Sequence, residues 1–252
     1  MQRLFEELAP LYADLEGRRE GIQEQCQALL NLAREHGPVE NILDLGCGTG
    51  EHLAALSGLV DPNRLLGVDI APAMIRVARE RYPGIRFEPG DMRALGLIER
   101  FDLIISLFGC LNYLHSDEEL LAALTGARER LKPGGRLLFE VWHRRPYAGL
   151  DYSYESPPRL VQSQGLAVER RRQVRRISRD RNDFIDIDFT YRLEPEGRFV
   201  RDRHRFRVFD RGEFEKLAGE AGLVLLELRS RFEKPGFEEL SGRMIVLLVT
   251  RE

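Results

Sequence analysis

Three acidic residues, each at the end of an apolar run, are the first candidates for chemistry. Asp44 opens Asp44-Leu45-Gly46-Cys47-Gly48-Thr49-Gly50, Asp69 follows Gly50 by nineteen residues, and Asp91 lies in Gly90-Asp91-Met92. The glycines of the first segment let backbone approach a ligand closely, and a helix beginning after them offers unpaired N–H groups. Asp44 suits a cationic partner such as a ligand ammonium, or else orients the loop amides. Asp69 stands where a carboxylate takes both hydroxyls of a ribose. Asp91 can accept from an exocyclic adenine amine while Met92 offers a soft surface to the ring. Dinucleotide enzymes show G-x-G-x-x-G, whereas the third glycine here comes one position early, which disfavours a nicotinamide cofactor.

These carboxylates need a scaffold that brings strand ends together. From residue 39 onward apolar runs alternate with one-sided helices. Strands are expected at 41–46, 64–70, 85–91, 101–109 and 135–142, with helices at 52–59, 72–82 and 117–131 between them. Continuous apolar strands separated by helices predict a doubly wound α/β domain with a parallel sheet. Ahead of it, Leu4, Leu8, Leu11 and Leu15 fall on one helical face, and a second helix is expected over 19–36, ending at Gly37-Pro38. The segment 152–209 breaks the rhythm. Ile185, Ile187, Phe189 and Tyr191 alternate with Phe184, Asp186, Asp188 and Thr190, and the turn 194–197 leads into 198–209, so a half-exposed antiparallel sheet with a hairpin is expected. A helix near 213–221 and strands at 223–228 and 244–250 follow, the last two antiparallel because no helix separates them.

The 252 residues are 43% hydrophobic and carry a net charge of -3, so one elaborated domain is expected and no global basic field favours a nucleic-acid partner. The apolar run 244–249 is far shorter than the roughly 20 residues of a spanning helix, and the chain start lacks a signal-peptide pattern. No membrane association and a cytoplasmic location are expected. Cys26, Cys47 and Cys110 lack metal-ligand spacing, so neither zinc nor a disulfide frame is expected, and Cys47 and Cys110 read as small apolar residues. From 165 to 211 there are 14 Arg and 9 acidic residues, a local charge of +5 against -8 for the rest. This polarity draws a diphosphate or is simply a solvated face, since Arg201, Arg203, Arg205 and Arg207 alternate along one side of a strand.

Taken in order, DLGCGTG, GVDIAPAMIRVAR, GDM and LKPGGRLLFE resemble the class I S-adenosylmethionine-dependent methyltransferases. The resemblance implies a Rossmann-like seven-stranded sheet with a reversed last strand. It also implies that Asp44 with Gly46, Cys47, Gly48 and Gly50 holds the methionine part of the cofactor, Asp69 the ribose, and Asp91 with Met92 the adenine. Within that class the chain is similar to bacterial nucleotide-linked aminosugar N,N-dimethyltransferases. That likeness rests on Pro10-Leu11-Tyr12-Ala13-Asp14, His52, Ser106-Leu107-Phe108, Tyr113-Leu114, Glu140-Val141-Trp142, the segment 204–209 and Ser241-Gly242-Arg243. It implies further cofactor contacts from Tyr12, His52, Ile70, Met74 and Leu107. The implied organisation is N-terminal helices (1–38) closing the cofactor site, a core (39–143 and 210–252), and a β insertion (144–209) acting as substrate lid and homodimer surface. Two departures are His143, where the family has a second tryptophan, and the richness of the insertion in arginine.

Methyl transfer from a sulfonium is an in-line displacement, so the protein must mainly align the reactants and exclude water. An amine acceptor must lose a proton, which makes a base useful. Tyr113, after the fourth strand, and His204, on a strand returning to the main sheet, match family positions and are the candidate catalytic residues together with Tyr12. His115 and His143 are alternatives. Glu140, Trp142, His143 and Arg243 are the candidate substrate contacts. The expected function is methylation of a nitrogen or oxygen of a small molecule, including a nucleotide-linked sugar. A non-catalytic S-adenosylmethionine-binding regulator, an RNA methyltransferase and a broader likeness to glycine-type N-methyltransferases remain as other readings.

Overall fold

The computed structural model describes residues 2–17, 21–148, 153–179 and 182–251. Five apolar segments, Ile42–Leu45 (β1), Leu65–Asp69 (β2), Arg86–Pro89 (β3), Phe101–Ser106 (β4) and Leu131–Trp142 (β5), pair in parallel in the order β3-β2-β1-β4-β5. Leu223–Arg229 (β11) and Arg243–Thr250 (β12) complete a seven-stranded sheet. The last strand runs antiparallel to both of its neighbours, β5 and β11, as expected.

Alternate residues of the central strands feed two separate cores. Leu43, Leu45, Ile104 and Leu137 pack with Asp117–Glu129 (α5) and Arg211–Glu220 (α6) on one face. On the other face Ile42, Leu103, Ile105 and Leu138 pack with Ile22–Arg34 (α2), Glu51–Leu56 (α3) and Pro72–Arg81 (α4). Each fully buried Leu or Ile there contributes about 1.5–3 kcal/mol of transfer free energy. The starts of α5 and α6 are capped by side chains: Ser116 Oγ accepts Glu119 N–H at 3.2 Å, and Asp210 Oδ1 accepts Glu213 N–H at 2.8 Å.

The N-terminal segment departs from expectation. Leu4, Leu8, Leu11 and Leu15 are all buried, but the segment is two 3₁₀ turns, Arg3–Phe5 and Ala9–Leu11, followed by the single turn Tyr12–Leu15 (α1). Pro10 has no N–H to give, so a continuous helix cannot pass through it at full hydrogen bonding. Burial requires only that the four leucines face one way, and the 3₁₀ turns meet that requirement. The expected start of the next helix, at 19, lies outside the described residues.

Ser153–Glu155 (β6), Arg159–Ser163 (β7), Leu166–Arg179 (β8), Asn182–Glu194 (β9) and Arg198–Val208 (β10) form a second, wholly antiparallel sheet in the order β10-β9-β8-β6, with β7 also pairing to β8. The expected start at 152 is also outside the described residues. The period-two reading holds for the inner face, where Ile185, Ile187, Phe189 and Tyr191 are buried against Leu4, Leu8, Leu11 and Leu15, while on the face expected to be exposed Phe184 and Asp186 are buried as well, beneath the arginines of β10. The opposite face carries an ion-pair ladder. Arg205 grips Asp186 through Nε and Nη2, both at 2.7 Å, and Arg203 Nε meets Asp188 at 2.5 Å. Arg207 is fully buried where β10 reaches α6, and it pairs with Glu213 at 2.7 Å and with Asp117 at 2.5 Å. Asn112 clamps the two sheets together, its amide donating to Arg207 O while its Oδ1 accepts Trp142 N–H at 3.0 Å.

Candidate active site

The carboxyl ends of β1, β2, β3 and β4 open toward the inner face of the second sheet, and the N-terminal turns close the side. Between them lies a cavity of ≈ 460 Å³ lined by all three parts, including Phe5, Tyr12, Gly46, Gly48, Asp69, Met92, Tyr113, Trp142, Phe189 and His204. That size is typical of a small-molecule site. A second, much smaller cavity of ≈ 20 Å³ lies at the glycine loop, lined by Asp44, Cys47, His52, Leu107 and Phe108.

The loop after β1 is shaped by positive φ at Gly46 (78°), Gly48 (55°) and Gly50 (88°). A Cβ on Gly46 would stand 2.6 Å from Cys110 Sγ, and one on Gly50 would stand 2.7 Å from Phe87 Cζ, so these two glycines permit close packing of the loop itself. At Gly48 the nearest atom to such a Cβ is Tyr12 Cε1, 3.5 Å away. Gly48 therefore presents open backbone to the cavity, whereas Gly50 lines neither cavity and serves as the left-handed cap of α3.

Two carboxylates face this loop from inside. Asp69 accepts Gly48 N–H at 2.9 Å and Ala71 N–H at 2.8 Å, which ties β2 to the loop. A carboxylate has about four acceptor positions, so these two bonds leave room for ligand hydroxyls. Burial raises the Asp69 carboxyl against the effect of its two N–H donors. Asp44 is buried with Oδ2 lacking any hydrogen-bond partner among the described residues, and its carboxyl is pushed up to about 8 by burial and by the nearby Asp69. An unsatisfied buried acceptor beside an open glycine backbone is what an ammonium- and sulfonium-bearing ligand would complete, so the residues fit S-adenosylmethionine.

The far end of the cavity is apolar. Ile70, half exposed, lies with Met74 and Met92 along its wall. Asp91 lines the same end, but Arg93 engages it fourfold through backbone N–H, Nε and Nη2 at 2.6–3.1 Å. The expected adenine acceptor is thus already paired. Arg93, two residues on in a loop, was the partner that sequence reasoning missed.

The part of the cavity beneath the second sheet is aromatic. Tyr113 and His204, named from the sequence as separate candidates, are joined: Tyr113 Oη lies 2.6 Å from His204 Nδ1. Burial raises the Tyr113 phenol well above its ordinary range, so it remains a hydroxyl. Phe5 packs edge-on against Tyr12, Tyr113 and His204, and Trp142 stacks on Phe206 at 4.4 Å. Phe108, two residues after β4, adopts φ 55°, a region rare for an aromatic residue, and its ring lies 4.9 Å from that of His52.

The remaining substrate candidates stand apart from the cavity lining. Glu140 is buried and meets Arg243 at 3.4 Å, while His143 is buried, its Nδ1 3.2 Å from Ser241 O. Of that set only Trp142 lines the cavity. Cys47 is buried with its thiol raised well above its usual range by burial, and Cys110 Sγ contacts Gly46 O, consistent with packing roles. His115 reaches Arg205 O at 3.0 Å and lines the cavity rim.

A methyltransferase-domain family matches residues 42–135. Among curated proteins, a dTDP-3-amino-3,4,6-trideoxy-alpha-D-glucopyranose N,N-dimethyltransferase of Streptomyces venezuelae is 30% identical over 210 residues, covering 82% of this chain and 85% of that protein. Among solved structures, Streptomyces venezuelae DesVI superposes with a TM-score of 0.78 at 26% identity, covering 97% of this chain and 98% of its own. The S-adenosylmethionine-bound CalS10, an amino pentose methyltransferase from Micromonospora echinaspora, gives 0.73 at 28% identity, with 96% of each chain covered.

Proposed function

Because the chain belongs to the family of dTDP-aminosugar N,N-dimethyltransferases, enzymes that depend on S-adenosylmethionine, we propose that it methylates the amino nitrogen of a nucleotide-linked aminosugar. The observation that carries this reading is the Tyr113–His204 hydrogen bond in the wall of the cavity that also holds the glycine loop and Asp69. An amine acceptor needs somewhere for its proton to go, and this pair offers it.

When bound, S-adenosylmethionine supplies a methyl group activated by a sulfonium. Asp44 and the Gly46–Gly48 backbone hold its amino-acid end, Asp69 its ribose hydroxyls, and Ile70, Met74 and Met92 cover its adenine, with Asp91 reaching the ring edge once Arg93 yields. Tyr12 and Phe5 close the site from the N-terminal turns and keep water out. Tyr113 takes the proton of the acceptor amine while giving its own to His204 Nδ1. Phe189, Phe206 and Trp142 form an apolar wall for the sugar. Arg172 lines the cavity and its guanidinium has no ion-pair partner among the described residues, which suits it to the diphosphate. On the outer face, by contrast, Arg175 and Arg203 pair with Asp188 and Arg205 with Asp186. Glu140 and Arg243 act one layer behind, at the end of β5.

No helix among the described residues is long and apolar enough to cross a membrane. We assign the enzyme to the cytoplasm, with a homodimer formed through the second sheet, whose Leu160 and Phe199 are exposed.

The test is incubation with S-adenosylmethionine and dTDP-3-amino-3,4,6-trideoxyglucose, followed by mass spectrometry. Two successive methyl additions are expected, and Arg172→Ala should raise KM for the sugar by about tenfold at unchanged cofactor affinity. Consumption of cofactor with no methyl on the sugar nitrogen would refute the acceptor assignment.

A further inference from the structure

Asp202 precedes His204 by two residues on β10, so both side chains leave the same face of the strand. That face is the inner one, and both side chains are buried. Asp202 Oδ2 lies 3.0 Å from His204 Nε2 and accepts the backbone N–H of Leu4 at 2.7 Å. Although burial alone would raise it, the hydrogen bonds from His204 and Leu4 hold this carboxyl below the ordinary carboxylate range. An ionised carboxylate only accepts, so Nε2 must carry hydrogen. In the neutral ring Nδ1 is then bare and accepts the Tyr113 hydroxyl.

We propose that Asp202 is the positioning residue of the proton acceptor: it fixes His204 as the Nε2–H tautomer and, by sharing one oxygen with Leu4, couples that state to docking of the N-terminal turns over the cavity. The inference rests on the methyl-transfer reading above. In the reaction a C–N bond forms as the C–S bond breaks, with its electron pair kept by sulfur. The amine proton moves to Tyr113 Oη, and the Tyr113 proton moves to His204 Nδ1. The resulting imidazolium keeps its Nε2–H on Asp202, which stabilises the charge. Nothing is oxidised or reduced. The N-terminal turns contribute to the same assembly, since Phe5 packs on both Tyr113 and His204, at 5.7 and 5.3 Å between ring centres.

The experiment reads the histidine directly. Long-range ¹H–¹⁵N spectra of the full chain, labelled at the histidine rings and saturated with S-adenosylhomocysteine, should show His204 as Nε2–H. Asp202→Asn can donate its amide to Nε2 and should convert the ring to Nδ1–H. With the dTDP-3-aminosugar as probe, its kcat should fall on the order of 10²- to 10⁴-fold while S-adenosylhomocysteine affinity stays within about threefold. Asp202→Glu, which restores a carboxylate, should recover kcat by at least about tenfold over the amide variant. An Nδ1–H ring in the unmutated chain overturns the proposal whether or not any variant folds, and so does an Asp202→Asn protein whose tautomer is unchanged. A wild-type chain inert toward that sugar defeats the acceptor reading alone, because the tautomer is read without an acceptor.

Discussion

Asp44 and Asp69 lie near the carboxyl ends of neighbouring strands, Asp44 opposite Gly67 and Asp69 two residues further along, and burial makes ionising both unfavourable. Asp44, pushed up to about 8, keeps a proton in the folded chain that the unfolded chain releases in the ordinary carboxylate range. The folded state therefore binds more protons across that window, so ligand-free stability falls as pH rises from about 4 to about 8 and levels off above it. A ligand ammonium beside Asp44 favours the charged form and reverses the shift. S-adenosylmethionine affinity should accordingly climb with pH up to about 8, with proton release on binding near pH 7. Calorimetry in two buffers of different ionisation heat measures this, and buffer-independent heats would remove Asp44 from the ligand's surroundings. The same residues mark how far sequence reading reaches. Asp44 and Asp69 were legible because each ends a strand with a fixed place in the α/β order. Asp202 was not, because its meaning depends on Tyr113, 91 residues from His204, and on Leu4 at the other end of the chain.

At the level of elements, the N-terminal turns hold their place through four leucines rather than through helical hydrogen bonding. Leu8 is 1% exposed within the cluster that includes Val168, Ile185 and Tyr191. Leu8→Ala should cost about 2–5 kcal/mol of stability. It should also weaken cofactor binding by loosening Phe5 and Tyr12, and thermal unfolding with and without S-adenosylhomocysteine would show both effects; an unchanged melting temperature would mean that the turns are not packed as described. The strands were readable from their apolar runs, and the β9–β10 hairpin from its period-two pattern and turn. The turns were misread as a helix because the spacing of buried leucines specifies a face and leaves the hydrogen-bond pattern open, and Pro10 settles it the other way. The arginine-rich strand β10 was ambiguous for a related reason. Alternation told which side the arginines occupy, while their carboxylate partners, Asp186 and Asp188, sit on the adjacent strand and become visible only once the register is known.

For the molecule as a whole, the cavity exists only because two sheets and the N-terminal turns meet, so its wall is drawn from residues as far apart in sequence as Gln2 and Phe206. Leu160 on β7 and Phe199 on β10 stay exposed on the outer face of the second sheet. Apolar side chains left outward on one layer suit association with a second copy. Sedimentation should show a concentration-dependent dimer that Leu160→Glu with Phe199→Glu disperses by at least about tenfold in dissociation constant; a chain monomeric at all concentrations would exclude it.

The Gln2 side of the N-terminal turns forms part of the cavity lining. A purification handle fused ahead of Gln2 would therefore begin beside the cavity. Kinetics recorded on such a fusion would report on a cavity crowded by foreign residues, and a handle placed after β12 would avoid the artefact.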